Sequence, residues 1–209
     1  KSASNVIGGL TLADANIVAA GSMTINATKN TSAAFTLDAT AELDGTITYV
    51  GGAGVDTVTG GAKNDTIDGK AGADVITGGK GVDSLTGGNG ADQFKFTDAN
   101  QSNTSGSDTI VDFVTGTDKI VITLDNSTKT TALTFDATVN TAAAGTTAVQ
   151  SGLSGSIGQA TYDTTNNQLV VNTNADNLVT TLDYVINVGA AATAANSIVE
   201  GDINYVITG

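Results

Sequence analysis

The chain has 209 residues, enough for a substantial core, but only 4% are aromatic and none is Trp, so small and β-branched side chains must build it. Its net charge of −13 sets 21 acidic residues against eight lysines and no Arg, which argues against nucleic acid and anionic membrane and favours cations. With neither Cys nor His, the chain can form no disulfide, complete Ser-His-Asp triad or His-ligated zinc site.

Of the acidic residues, 19 are Asp and only Glu42 and Glu200 are Glu. A merely solvated acidic face would more naturally use Glu, whereas Asp suits turns and short-armed metal ligands. No apolar run is long enough to span a bilayer, and no basic-then-apolar signal peptide opens the chain. The sequence begins at Lys1 without an initiator Met, as expected of a processed or shortened C-terminal piece of a longer protein. Pro is absent, and runs of Thr, Val and Ile separated by Gly, Asn and Asp predict an all-β fold.

Residues 1–50 read as a strand-rich lead-in, with strands at Val6–Leu12, Ser22–Thr28, Ala34–Thr40 and Thr46–Val50. Met23, Phe35 and Ile47 recur with a period of 12, as do Ile25, Leu37 and Tyr49. Tyr49 also lies nine residues before Val58, in phase with the repeat that follows. Two arrangements fit: irregular rungs feeding a coil, or an ordinary β-meander.

Residues 51–95 are five uninterrupted blocks of nine. Gly opens each block (Gly51, Gly60, Gly69, Gly78, Gly87), and Asp holds the sixth place (Asp56, Asp65, Asp74, Asp83, Asp92). The eighth place is apolar: Val58, Ile67, Ile76, Leu85, Phe94. Each block reads as a glycine-rich turn followed by a three-residue strand, two blocks to a coil. Turns 18 residues apart then stack along one edge, about 4.8 Å apart, and their carboxylates converge on hard cations such as Ca²⁺. A flexible Gly-rich acidic linker has the same composition but no reason to repeat an apolar residue at every ninth position. One small apolar side chain per nine ordered residues is thin support, and a column of Asp repels itself, so metal binding is expected to drive folding. Without calcium the segment is expected to be disordered.

After the repeats come a polar loop at Thr97–Ser107 and the stretch SDTIVDFVTGTDKIVITL. Further strands are predicted at Leu133–Val139, Ala160–Asp163, Gln168–Asn172 and Asp183–Val188, with an Asn-Asn hairpin turn in YDTTNNQLVV. The tail, EGDINYVITG, is an acidic patch followed by apolar residues. The predicted organisation is a lead-in (1–50), a calcium-binding roll (51–95) and a C-terminal β domain (96–209).

The nonapeptide G-G-x-G-x-D-x-U-x resembles the RTX calcium-binding β-roll repeat. ADQFKF and SDTIVDFVTGTDKIVI resemble the C-terminal domain of serralysin-type secreted metalloproteases and related type I secretion substrates, and GQATYDTTNNQLVVN and TLDYVINVG resemble its closing β-sandwich strands. The resemblance covers residues 51 to about 200. It implies a right-handed parallel β-roll followed by a sandwich-like segment, uncleaved C-terminal export through the type I secretion apparatus, and folding on external calcium.

It also implies three complete calcium sites. The first takes Gly52, Gly54 and Asp56 with Gly69, Ala71 and Asp74; the second takes Gly61, Lys63 and Asp65 with Gly78, Lys80 and Asp83. The third takes Lys70, Gly72 and Asp74 with Gly87, Asn89 and Asp92, so Asp74 bridges two ions. Lys63 and Lys70 replace expected glycines. Only their carbonyls are needed, but a left-handed Lys costs about 1 kcal/mol, and the second and third sites are expected to be weaker. Asp98, Asp108 or Asp112 are candidates to extend the roll at its end, and Asp38 or Asp44 at its start.

No part of the chain supports catalysis, and the serralysin zinc motif H-E-x-x-H cannot exist without His. The expected parent is a bacterial surface-layer protein, extracellular or on the cell surface, with self-association into a lattice or cell-surface polysaccharide as further partners. A serralysin-type metalloprotease, a lipase or an RTX adhesin are the alternatives. No nucleic acid and no transmembrane segment are expected.

Overall fold

The computed structural model describes residues 8–14, 19–98, 100–103, 105–125, 160–163, 166–171, 184–189, 198 and 202–208. The chain winds back and forth between two sheets. The first is β1 (Gly8–Ala13), β3 (Phe35–Ala41), β5 (Asp56–Thr59), β7 (Val75–Thr77), β9 (Gln93–Phe96), β11 (Lys119–Asp125) and β15 (Ile203–Thr208), in that order. The second runs β2 (Ser22–Asn26), β4 (Thr46–Val50), β6 (Thr66–Asp68), β8 (Ser84–Thr86), β10 (Asp108–Ile110), β14 (Tyr184–Val188), β13 (Gln168–Val171) and β12 (Ala160–Asp163). All pairs are parallel except β12–β13 and β13–β14. The all-β expectation holds, as parallel sheets.

The eighth-place residues explain the stacking. In the first sheet Leu37, Val58, Ile76, Phe94, Ile120 and Ile203 occupy successive register positions. In the second, Tyr49, Ile67, Leu85, Ile110 and Val188 do the same. Each is buried, and together they fill the space between the sheets. Parallel strands need both faces covered or one face packed on a partner, and here each sheet's inner face supplies the other.

The strands before the repeats are rungs of the same coil. Met23 pairs with Ile47 and Ile25 with Tyr49 in the second sheet, while Phe35 and Leu37 lie in the first. The period of 12 is therefore the length of one irregular half-coil, which tightens to nine once the glycine turns begin.

After residue 96 the described strands complete these two sheets, and no separate sandwich stands among the described residues. The reason is register: Ile110 and Ile120 continue the apolar columns of the repeats. β12 and β13 form the predicted hairpin, with Asn167 left-handed in its turn at φ 52°, a conformation Asn tolerates. The tail provides β15, paired along its whole length with β11. The strand expected at Leu133–Val139 lies outside the described residues.

Candidate metal centre

The sixth-place Asp residues point into the coil. Two register positions before each buried eighth-place residue, the first sheet carries Phe35, Asp56, Asp74, Asp92 and Asp118 in turn. The second carries Met23, Ile47, Asp65, Asp83, Asp108 and Ile186. Apolar residues hold this inward position on the wide rungs, and Asp replaces them where the turns are tight. All seven carboxylates are at most 2% exposed.

A hydrogen-bond ladder locks each column. The Oδ1 of every Asp accepts the backbone N–H of its register partner one rung earlier. In the first column Phe35, Asp56, Asp74 and Asp92 donate to Asp56, Asp74, Asp92 and Asp118, at 2.7–3.0 Å. In the second, Ile47, Asp65 and Asp83 donate to Asp65, Asp83 and Asp108, at 2.7–2.9 Å.

The Oδ2 oxygens divide into two groups. Asp56 accepts the Tyr49 hydroxyl at 3.0 Å and the Gly52 N–H at 3.2 Å. Asp65 accepts the Gly61 N–H at 2.7 Å, and Asp118 the Val114 N–H at 2.8 Å. The Oδ2 atoms of Asp74, Asp83, Asp92 and Asp108 are buried with no hydrogen-bond partner among the described residues. Buried polar atoms are rarely left so, and charged ones least of all.

Turn conformation separates the same groups. In turns three, four and five the second-place residue is left-handed: Lys70 at φ 75°, Gly79 at 102° and Gly88 at 96°. Gly52 and Gly61, in turns one and two, are outside that region and direct their N–H groups at their own Asp. Lys70 N–H goes instead to Asp68 and Gly88 N–H to Asp112.

Burial pushes the inward carboxyls upward, reinforced by neighbouring carboxylates. Asp74 rises to about 6 through burial and then Asp56 and Asp92. Asp83 rises to about 7 through burial and then Asp65, and Asp108 to about 8 through burial and then Asp83. Asp65, Asp92 and Asp118 are also raised, chiefly by burial.

The glycines that open the turns leave space beside these oxygens. A Cβ at Gly69 would meet Asp74 Oδ2 and the Gly87 carbonyl oxygen together, and at Gly51 it would meet Asp56 Oδ2 and the Gly69 carbonyl oxygen. At Gly60 the pair is Asp65 Oδ2 and the Gly78 carbonyl oxygen. Oxygen atoms of turns 18 residues apart therefore share one cradle. The carbonyls of Gly52, Gly61 and Lys70 already accept the N–H of Ala71, Lys80 and Asn89 in the turn above. Gly54, Lys63 and Gly72 place their carbonyls against Gly72, Gly81 and Gly90 of that turn. The side chains of Lys63, Lys70, Lys80 and Asn89 are exposed, so only their backbones can face the columns. Among the described residues no three carboxylates gather at one point, so carbonyl oxygens must supply much of any cation's shell.

Residues 50–85 and 59–94 match the family model for the RTX calcium-binding nonapeptide repeat (4 copies). These residues are RTX calcium-binding repeats. No curated protein matches the chain. Unpartnered carboxylate oxygens, all-oxygen cradles and tight glycine turns fit the calcium that RTX repeats bind.

Two sequence expectations need correction. Lys63 is not left-handed, because turn two adopts the closed conformation, so the backbone strain falls on Lys70 alone. Lys70 pairs with Asp68 at 2.8 Å, but both are solvent-accessible and the pair is worth little. Lys70→Gly is therefore expected to stabilise the calcium-loaded chain by about 1 kcal/mol in denaturant melts, with Lys63→Gly giving no gain.

At the column ends the expectation holds for Asp108 and fails for Asp38, Asp44 and Asp98. Phe35 and Ile47 hold the starting positions, while Asp38 binds Thr40 and Asp44 is exposed. At the other end Asp108 follows Asp83, Asp118 follows Asp92, and Asp98 is exposed. Asp112 reaches turn five from outside the column, accepting the Gly87 and Gly88 N–H groups. Asp118 was missed because 26 residues, not 18, separate it from Asp92. Its signal is Gly116-Thr117-Asp118-Lys119-Ile120, which with Gly106-Ser107-Asp108-Thr109-Ile110 keeps the G-x-D-x-U half of the nonapeptide.

Proposed function

We propose that this chain is a non-catalytic, calcium-folded module of a secreted protein, holding its ions between RTX turns stacked 18 residues apart. The observation that carries this reading is the set of four buried, unpartnered oxygens on Asp74, Asp83, Asp92 and Asp108. Carboxylate and carbonyl oxygens would together supply the hard, all-oxygen shell that Ca²⁺ takes. The proposed ligands are Asp74 and Asp92 with Lys70, Gly72, Gly87 and Asn89 in one column. In the other it is Asp83 with Gly61, Lys63, Gly78 and Lys80, extended by Asp108. Equilibrium dialysis tests the reading. The native chain is expected to bind at least two ions at millimolar calcium, and Asp92→Asn at least one fewer. An unchanged count in Asp92→Asn would exclude the column as the site.

The finer reading is the anchoring or assembly part of a bacterial surface-layer protein, exported by a type I apparatus. Its support is compositional: few aromatics, no Cys, and Thr/Ala/Asn-rich rungs leading into the repeats. A protease, lipase or adhesin parent is the competing reading. Among the described residues no helix is long and apolar enough to cross a membrane. Electron micrographs of the calcium-loaded chain separate the two, ordered sheets favouring the surface layer.

A further inference from the structure

The inward carboxylates differ in whether a protein hydrogen reaches the outer oxygen. Asp65 and Asp118 are each closed by one short bond from the N–H four residues earlier. Asp56 has the equivalent bond from Gly52, but it is longer, at 3.2 Å, and the Tyr49 hydroxyl completes it at 3.0 Å.

Tyr49 sits seven residues before Asp56, at the eighth place of the rung preceding the first repeat. Before Asp74, Asp83 and Asp92 that place is held by Ile67, Ile76 and Leu85, which have no polar atom to offer. Those three carboxylates are among the four left open. The Tyr49 ring is fully buried and stacked on Phe35, with centroids 5.9 Å apart, so its hydroxyl cannot swing elsewhere. Burial and the Asp56 carboxylate push the phenol above its ordinary range, so it remains a donor at neutral pH.

We propose that Tyr49 stands in for a metal ion at the start of the first column. Its hydroxyl closes Asp56, so the rung from Phe35 to Asp56 folds on protein hydrogen bonds alone. No ion sits between Asp56 and the Gly69 carbonyl, and metal binding in this column begins at Asp74. Tyr49 thereby sets both the ion count and the boundary between the metal-independent and metal-dependent coil.

This rests on the calcium reading above, and one set of variants of the full chain separates the two. In equilibrium dialysis at saturating calcium, Asp56→Asn is expected to keep the native ion count while Asp92→Asn loses at least one. Tyr49→Phe, which leaves the ring in place, is expected to require severalfold more calcium for half-maximal β ellipticity. An Asp56→Asn chain that loses an ion as Asp92→Asn does would overturn the role of Tyr49 and leave the calcium reading intact. Tyr49→Phe folding at the native calcium concentration would do the same. An unchanged count in both Asp variants would remove the calcium reading and this inference with it.

Discussion

Excess chelator at pH 7.5 is expected to abolish hydrogen-exchange protection between residues 69 and 118, and with it most of the chain's β ellipticity. Four buried carboxylates there have an Oδ2 with no hydrogen-bond donor among the described residues, so without a cation each must either bury its charge or hold a proton that the unfolded chain has released. Leaving a buried charged group unpaired costs about 3 kcal/mol or more, so four together cost on the order of 12 kcal/mol. Whole domains are stable by only about 5–15 kcal/mol, so the open turns cannot survive at neutral pH without a cation. Calcium reverses the sign, because binding to the coil alone adds its free energy to folding. Restoring millimolar calcium should restore protection, while magnesium at the same concentration should not. Full protection of residues 69–118 in chelator would be incompatible with this account.

Lowering the pH should partly replace the metal. In the metal-free coil, burial and neighbouring carboxylates hold Asp74 near 6, Asp83 near 7 and Asp108 near 8, against 3.8 for an ordinary Asp. The folded coil therefore keeps protons that the unfolded chain has released. Their stabilisation is complete below about pH 4 and is lost as the pH rises through about 6 to 8. In chelator, β ellipticity is expected to rise as the pH falls from 8.5 to 5. Calcium must displace these protons, so its affinity should drop by on the order of tenfold or more per site over the same range. Adding calcium to a weakly buffered solution near pH 7 should release protons. The double variant Asp83→Asn, Asp108→Asn should flatten the pH dependence in chelator. A native chain equally unstructured at pH 5 and pH 8.5 in chelator would show that charge burial is not what opposes the metal-free fold.

Much of the architecture is visible in spacing. An inward residue at every eighth place and Asp at every sixth leave little freedom once two blocks make one coil, because tight turns force the same register on each pair of strands. The lead-in was ambiguous for the opposite reason. Its rungs differ in length, so Met23, Phe35 and Ile47 mark a period but not which sheet each enters. The continuation past residue 96 was obscured by loops that stretch the spacing to 25 and 26 residues, although the G-x-D-x-I endings at Ile110 and Ile120 persist.

Composition and a strict nine-residue period are enough to show that the chain is all-β, that its repeats bind a hard cation, and which five of the seven column Asp residues lie in the repeats. Which carboxylates need that cation follows from the fold alone. The partner of a carboxylate oxygen depends on whether a backbone N–H turns toward it, as at Gly61, or away, as at Lys70. It also depends on whether a side chain from the opposite sheet reaches across, as Tyr49 does to Asp56. Both are properties of stacked rungs, and no single nonapeptide contains them.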